Sequence, residues 1–375
     1  MTATLRFIDS SDPAWDATLF RARHDVYHTA EYHRLWEHMG AAYLAVYGDE
    51  DRYLAWPFLL CRLDDPMSPG NDYDLFDVTS VYGYPGPVAK NCKPGEGFAV
   101  EALTAILQEW RKMGAISEFT RFNPLLENQQ WTEGAFGSPE VRQIGDTISI
   151  DLSEPAEHVF KGYRRYIRKQ ILEARNNGLA SYTDFEWTHL SDFVHLLHAT
   201  MDRNDAAPEY YLSAEFFETL RRYFPQKLFL RVVQCDSQVE CAGVFLEFDK
   251  AMHALYIGSS ETGAARNAPK LLLDDTQRWA RERGLQLLHL GGGRGARNDD
   301  SLFFFKSGFS RTRHPFWIGS WILDREKYSQ LCDRHTARAL RAGMELDADF
   351  FPAYRSPILP AVKTLQPNLT DGSSS

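Results

Sequence analysis

One ordered run of elements occurs twice in this chain, about 170 residues apart, and it restricts the fold more than any other feature. In its first occurrence Ala41 to Tyr47 and Arg52 to Cys61 read as two strands joined by the turn Gly48-Asp-Glu-Asp. An amphipathic helix follows from Phe98 to Met113, with Leu103, Ile106, Leu107 and Trp110 on one face and Gly114 placed to close it. The strand Ile116 to Phe122 then runs into Asn123-Pro124. In its second occurrence Leu228 to Cys235 and Glu240 to Phe248 form a hairpin around Asp236-Ser-Gln, with a further strand from Met252 to Gly258. A helix from about Pro269 to Gly284 and a strand from Gln286 to Leu290 complete the run and open into Gly291-Gly-Gly.

This repetition predicts a mixed α/β (α+β) protein with two similar tandem lobes, each a mixed sheet flanked by helices. The predicted division is 1–150 and 151–330, with a C-terminal extension over 331–364 and a disordered tail over 365–375. The length of 375 residues agrees, because a single core usually stops growing at about 250 to 300 residues. A smaller helix is expected to start at Thr29 and stop at Gly40, with Tyr32, Leu35, Trp36 and Met39 on one face.

Hydrophobic residues make up 44% and charged residues 25%, which supports a large buried core and excludes general disorder. The formal charge of -10 excludes a DNA-coating protein, so any anion site must be local. No signal peptide and no run of about 18 apolar residues is legible, so the expected location is the cytoplasm, with no membrane span and at most peripheral contact. Five cysteines without CxxC spacing read as reduced thiols, with Cys235 and Cys241 expected to face each other across their hairpin.

The densest cluster of cations is Lys161, Arg164, Arg165, Arg168, Lys169 and Arg175, on a stretch read as one helix from Pro155 to Asn177. At i,i+4 spacing Arg164 would stack over Arg168 and Arg165 over Lys169, giving stripes suited either to phosphates or to a solvated face. Leu290-Gly-Gly-Gly-Arg-Gly-Ala formally matches a dinucleotide fingerprint, but no long helix follows it. It reads as a flexible turn or as a backbone nest for an anion or oxyanion. Beside it, Asp299-Asp300-Ser301 and Lys306 are either a helix cap or site groups. His28, His33 and His38 recur at five-residue steps that cannot share a helix face, so no metal is expected.

The string Leu288-His-Leu-Gly-Gly-Gly, with Asp300-Ser-Leu-Phe-Phe-Phe-Lys-Ser-Gly-Phe309, resembles the C-terminal signature of the Fem-type acyltransferases, the GNAT-related aminoacyltransferases of peptidoglycan bridges. Tyr82-Gly-Tyr-Pro-Gly-Pro87, Arg121-Phe-Asn-Pro-Leu-Leu-Glu-Asn128, Tyr163-Arg-Arg-Tyr-Ile-Arg-Lys169 and Thr200-Met-Asp-Arg203 with Tyr210-Tyr211 resemble further motifs of that family, so the likeness covers about residues 5 to 330. It implies two GNAT-like lobes, an acceptor cleft between them, and transfer of an acyl or aminoacyl group to an amine without a covalent enzyme intermediate. No tightly bound cofactor is implied. The co-substrate would be acyl-CoA or aminoacyl-tRNA, and the acceptor a small molecule or a nucleotide- or lipid-linked precursor of the envelope or of polysaccharide.

By match to the Phe-Lys motif, Lys306 is implied to hold phosphate or polarise the reacting carbonyl, with Asp300 beside it in the catalytic group. Arg164, Arg165 and Arg168 would bind the anionic part of a substrate, and contacts are implied for Tyr82, Tyr84, Arg121, Arg203, Tyr211, Gly292, Gly293 and Arg294. The acyl-CoA loop of GNAT proteins is not legible in Ser260 to Pro269, although Arg266 and the helix start near Lys270 offer a phosphate site. An inserted coiled-coil arm, as in some tRNA-using members, is also absent from the pattern. Two alternatives are an acyl-CoA N-acyltransferase of small-molecule biosynthesis and a non-catalytic module that binds a nucleotide-sugar or RNA.

Overall fold

The computed structural model describes residues 3–63, 75–134 and 140–360, so the expected tail over 365–375 lies outside the described residues. Thirteen strands form one sheet. The first half supplies β1 (Thr4–Asp9), β2 (Ala41–Gly48), β3 (Tyr53–Arg62), β4 (Phe76–Thr79), β5 (Val88–Lys90), β6 (Ala115–Arg121) and β7 (Glu140–Asp151). The second supplies β8 (Ala180–Asp184), β9 (Leu228–Cys235), β10 (Gln238–Phe248), β11 (Ala251–Ser259), β12 (Leu287–Gly291) and β13 (Arg313–Ile322). The order is β1-β2-β3-β4-β6-β13-β7-β12-β11-β10-β9-β8, with β5 beside β3.

Read from either edge, this order is the same. β1-β2-β3-β4-β6 mirrors β8-β9-β10-β11-β12, and both series contain one parallel pair, β4 with β6 and β11 with β12. A parallel pair needs a crossover. It is supplied by the helix Gly97–Lys112 in one half and Ala268–Glu282 in the other, close to the predicted spans. The two halves then exchange their last strands: β13, from the second half of the chain, pairs with β6, while β7 pairs with β12. β7 and β13 also pair with each other, which joins the lobes through continuous backbone hydrogen bonds.

Local chemistry explains the well-read elements. Asp236 and Ser237 both adopt positive φ (49° and 67°), the conformation of a two-residue turn that matches strand twist, so Cys235 pairs with Gln238. That register overturns the expected pairing of the two thiols, because Cys241 lies opposite Val233. The small helix does start at a Thr29 cap, but it is helical only over Ala30–Arg34. The basic stretch is two helices, Ala156–Gly162 and Arg165–Asn176, because the Arg164 N–H is drawn to the Gly308 carbonyl at 2.8 Å and Arg164 takes an extended ψ of 143°. The helix Arg325–Arg341 follows β13, and beyond it Tyr354 and Arg355 bond to Asp77 of β4. Among the described residues no helix is long and apolar enough to cross a membrane.

The first-lobe core is built around Trp56, Trp110 and Trp321 and encloses Glu118 of β6, which is 1% exposed. Thr120 donates to one of its oxygens and the other has no partner. Burial pushes this carboxyl well above its ordinary value of 4.5, against the Thr120 bond. The folded protein therefore holds a proton that the unfolded chain releases, so stability falls as pH rises above the ordinary carboxylate range. Glu118→Gln is expected to abolish that part of the fall in thermal unfolding followed from about pH 5 to about pH 9. Equal pH slopes for variant and wild type would contradict it.

Candidate functional site

The exchange of β7 and β13 brings two neighbouring features to the middle of the sheet. The first is the turn after β12. Gly291 has φ +72°, which favours glycine, and it leaves an open side that two groups approach. A β-carbon there would lie 3.4 Å from the Tyr84 hydroxyl of the first lobe and 3.5 Å from Lys306 Nζ of the second. Lys306 ends the short helix Ser301–Lys306 and donates to the Gly292 carbonyl at 2.7 Å. Burial pushes its amine down to about 8, against the pull of the Asp300 charge. Burial also raises the Tyr84 hydroxyl above its ordinary value, while the Gly292 backbone and Arg121 work the other way.

Asp300 caps that helix, accepting from Leu302 N at 2.6 Å and Phe303 N at 2.8 Å. Its second oxygen has no partner. Gly293 packs so closely that a β-carbon would overlap this oxygen and the Arg297 carbonyl. The loop is pinned to β7 by a reciprocal amide pair: Asp146 N donates to Asn298 Oδ1 and Asn298 Nδ2 to Asp146 Oδ2, each at 2.9 Å.

The second feature is an open groove of about 1120 Å³ beside this helix. It is lined by Lys161, Arg164, Arg165 and Arg168 from the two basic helices and by Arg311 and Arg313 from the segment entering β13, with Asp151 and Glu154 as its acids. The guanidinium of Arg164 lies 4.7 Å from the Phe304 ring centre. Arg168 is partly structural, because it donates to the Lys161 and Tyr163 carbonyls and so closes the break between the helices. Because Arg164 precedes the second helix, the expected stripe of Arg164 over Arg168 does not form on one helix. Six cations against two acids still make this groove a local exception in a chain of net charge -10.

Of the other expected residues, Tyr82 reaches across to the second lobe, and Arg121, Arg203, Tyr211 and Arg294 make contacts within their own lobe. Arg121 stands 5.8 Å from the Tyr82 ring centre, and Tyr82 stands 6.1 Å from Tyr210 of the second lobe. Tyr211 donates to Asp202 at 2.8 Å and Arg203 to the Ser259 carbonyl at 2.6 Å. Arg294 reaches Ser301 Oγ at 3.0 Å and Asn204 Oδ1 at 3.4 Å, joining the end of the helix Leu190–Arg203 to the start of the Lys306 helix. The structure thus brings Tyr84, Gly292, Gly293, Asp300 and Lys306 together, and keeps the three arginines 164, 165 and 168 in the adjoining groove.

Sequence reasoning missed Arg311 and Arg313, although Arg311-Thr-Arg-His follows the Phe-Lys motif within a few residues. It also missed a buried polar row of Asp25, Asn123, His253 and His289, whose members are scattered along the chain. His28 and His33 are buried, His28 Nδ1 accepting from Asp25 N at 3.1 Å and His33 Nδ1 lying 3.0 Å from the Thr29 carbonyl. Among the described residues no group of three or more His, Cys, Asp and Glu is placed to hold a metal ion.

No family model matches the chain. Among curated proteins it is 23% identical over 172 residues to the UDP-N-acetylmuramoylpentapeptide-lysine N(6)-alanyltransferase of Weissella viridescens, a match to 45% of this chain and 50% of that protein. The chain thus spans half the length of that relative. The crystal structure of FemX superposes with a TM-score of 0.65 at 13% identity, covering 87% of this chain and 99% of FemX. A conserved protein of unknown function from Bacteroides thetaiotaomicron superposes with a TM-score of 0.57 at 9% identity, covering 85% of this chain and all of that one. With two mirrored lobes and the fold of FemX, the chain is Fem-like in architecture.

Proposed function

We propose that the protein is an acyltransferase of Fem type that moves an acyl or aminoacyl group to an amine of a sugar- or peptide-containing precursor, in envelope or polysaccharide synthesis. The observation that carries this reading is the approach of Tyr84 and Lys306, from different lobes, to the Gly291 turn beside a cationic groove. Its sequence relative is named for alanyl transfer to a lysine N6 of a UDP-linked muramoyl pentapeptide, which is the same class of reaction.

In the reaction the acceptor nitrogen attacks the donor's carbonyl carbon and forms the new C–N bond. The carbonyl oxygen takes up negative charge, the amine proton passes to a base, and the ribose hydroxyl or thiol leaves as the tetrahedral adduct collapses. The Lys306 ammonium supplies positive charge to the developing oxyanion, and the Tyr84 hydroxyl supplies a donor from the opposite lobe. Asp300 holds the Lys306 helix by its cap and favours the charged amine. The groove holds the phosphates of donor or acceptor, with Arg164, Arg165, Arg311 and Arg313 exposed along it. Tyr82, Arg121, Arg203, Tyr211 and Arg294 border the space where the acceptor enters.

A donor screen tests this reading. Purified protein is given acetyl-CoA, longer acyl-CoAs or charged tRNA with a panel of amino sugars and muropeptide precursors, and mass spectrometry follows the acceptor. Amide formation with one donor class is expected; none with any pairing would leave a binding module as the better reading. Gly293→Ala is expected to cost about 10- to 100-fold in turnover by displacing the turn, and to lower the thermal midpoint because its β-carbon would meet the Arg297 carbonyl. Full activity in that variant would show that the close packing at Asp300 is not needed.

A further inference from the structure

The proposed chemistry leaves unused a buried polar group that spans both lobes. Asp25, 6% exposed, lies in the first lobe just before the turn Val26–His28. Its Oδ1 is 3.1 Å from Nε2 of His253, a second-lobe residue on β11 that is 1% exposed. Its Oδ2 accepts from Asn123 Nδ2 at 2.8 Å, and the same amide group donates to the Tyr84 carbonyl at 2.8 Å. One bridge therefore runs from His253 through Asp25 and Asn123 to the backbone of Tyr84.

The other end of the row reaches the glycine turn. His253 stands in register with His289 on the parallel strand β12, with ring centres 5.6 Å apart, and His289 lies two residues before Gly291. The Tyr84 ring is 5.5 Å from His289, and the Tyr27 ring is 5.4 Å from Tyr84 and 5.5 Å from His253. Burying a carboxylate is costly unless it is paired and hydrogen-bonded. Burial alone would raise Asp25, but His253 beside it and the Asn123 hydrogen bond hold it well below the usual carboxylate range. A buried carboxylate of one lobe that meets an imidazole nitrogen of the other at 3.1 Å is suited to fixing how the lobes meet.

We propose that the Asp25–His253 pair is a positioning contact that sets Tyr84 of the first lobe against the glycine turn of the second, so that the Tyr84 hydroxyl and Lys306 Nζ meet at Gly291. Asp25 and His253 touch no substrate in this account and act through Tyr84. The effect on turnover rests on the acyl-transfer reading; the effect on the turn does not.

The test uses His253→Gln and Asp25→Asn, the second of which keeps an oxygen for the Val26 N–H bond now made at 2.7 Å. Amide exchange in the ligand-free protein is expected to quicken at 291–293 and around Tyr84 in both variants, with the sheet edges unchanged. Unchanged exchange at the turn, or faster exchange throughout, overturns the proposal even if no donor is ever found. Where turnover is measurable, each variant is expected to lose about 10- to 100-fold, as for a reacting group displaced by about 1 Å. That loss should shrink in a Tyr84→Phe background; losses that multiply in full there would show that the pair does not act through Tyr84.

Discussion

Replacing Lys306 with methionine is expected to lower turnover by about 10²- to 10³-fold, the usual cost of removing one group that stabilises a developing oxyanion. The fold should survive, because the amine makes one hydrogen bond, to the Gly292 carbonyl, and methionine fills much of the same volume. The pH profile identifies the working form. Burial brings the amine down to about 8, so it is charged below that value and neutral above it. If the ammonium polarises the carbonyl, turnover falls as pH rises through about 8. Asp300→Asn removes the charge that raises this value, so the falling limb should move to lower pH while the cap is retained. A rate that climbs through the same range would make the neutral amine the active species.

The second large effect concerns the groove. The double variant Arg164→Ala/Arg165→Ala is expected to weaken tRNA or pyrophosphate binding about 10- to 100-fold at low salt. For tRNA the slope of log affinity against log salt should shrink by about two, one for each phosphate contact removed. Arg168 is a poorer choice, because its bonds to the Lys161 and Tyr163 carbonyls mix binding with folding. Binding by wild type that is indifferent to salt would remove phosphates from the groove's function.

Much of this architecture is legible from local chemistry. The hairpin over Leu228 to Cys235 and Gln238 to Phe248 is specified by near-continuous apolar runs and by a tight turn of two residues with positive φ. The helix over 97–112 is specified by one apolar face that ends at Trp110. The exchange of β7 and β13 has no local signature, since either strand would satisfy its hydrogen bonds beside its own half. The break at Arg164 is likewise tertiary, because its cause is the Gly308 carbonyl, distant in sequence.

The same distinction applies to the site. Lys306, Asp300 and the glycines lie within one short segment, and their likeness to a family motif makes them visible. The convergence of Tyr84 on that segment depends on how two lobes pack. Arg311 and Arg313 read as isolated cations until the chain folds them opposite the basic helices. The buried histidines are harder still: each sits alone in an apolar strand, Met252-His-Ala-Leu and Leu288-His-Leu, where a lone satisfied core histidine is the ordinary reading.

The proposed acyl transfer is placed where the lobes meet, on the turn shared by Tyr84 and Lys306. The most direct measurement is mass spectrometry of the acceptor amine after incubation with the best donor of the screen, for wild type, Lys306→Met and Tyr84→Phe side by side. An amide product is expected from wild type, at least about a hundredfold less from Lys306→Met, and a reduced yield from Tyr84→Phe. Equal product from all three would place the chemistry elsewhere in the molecule.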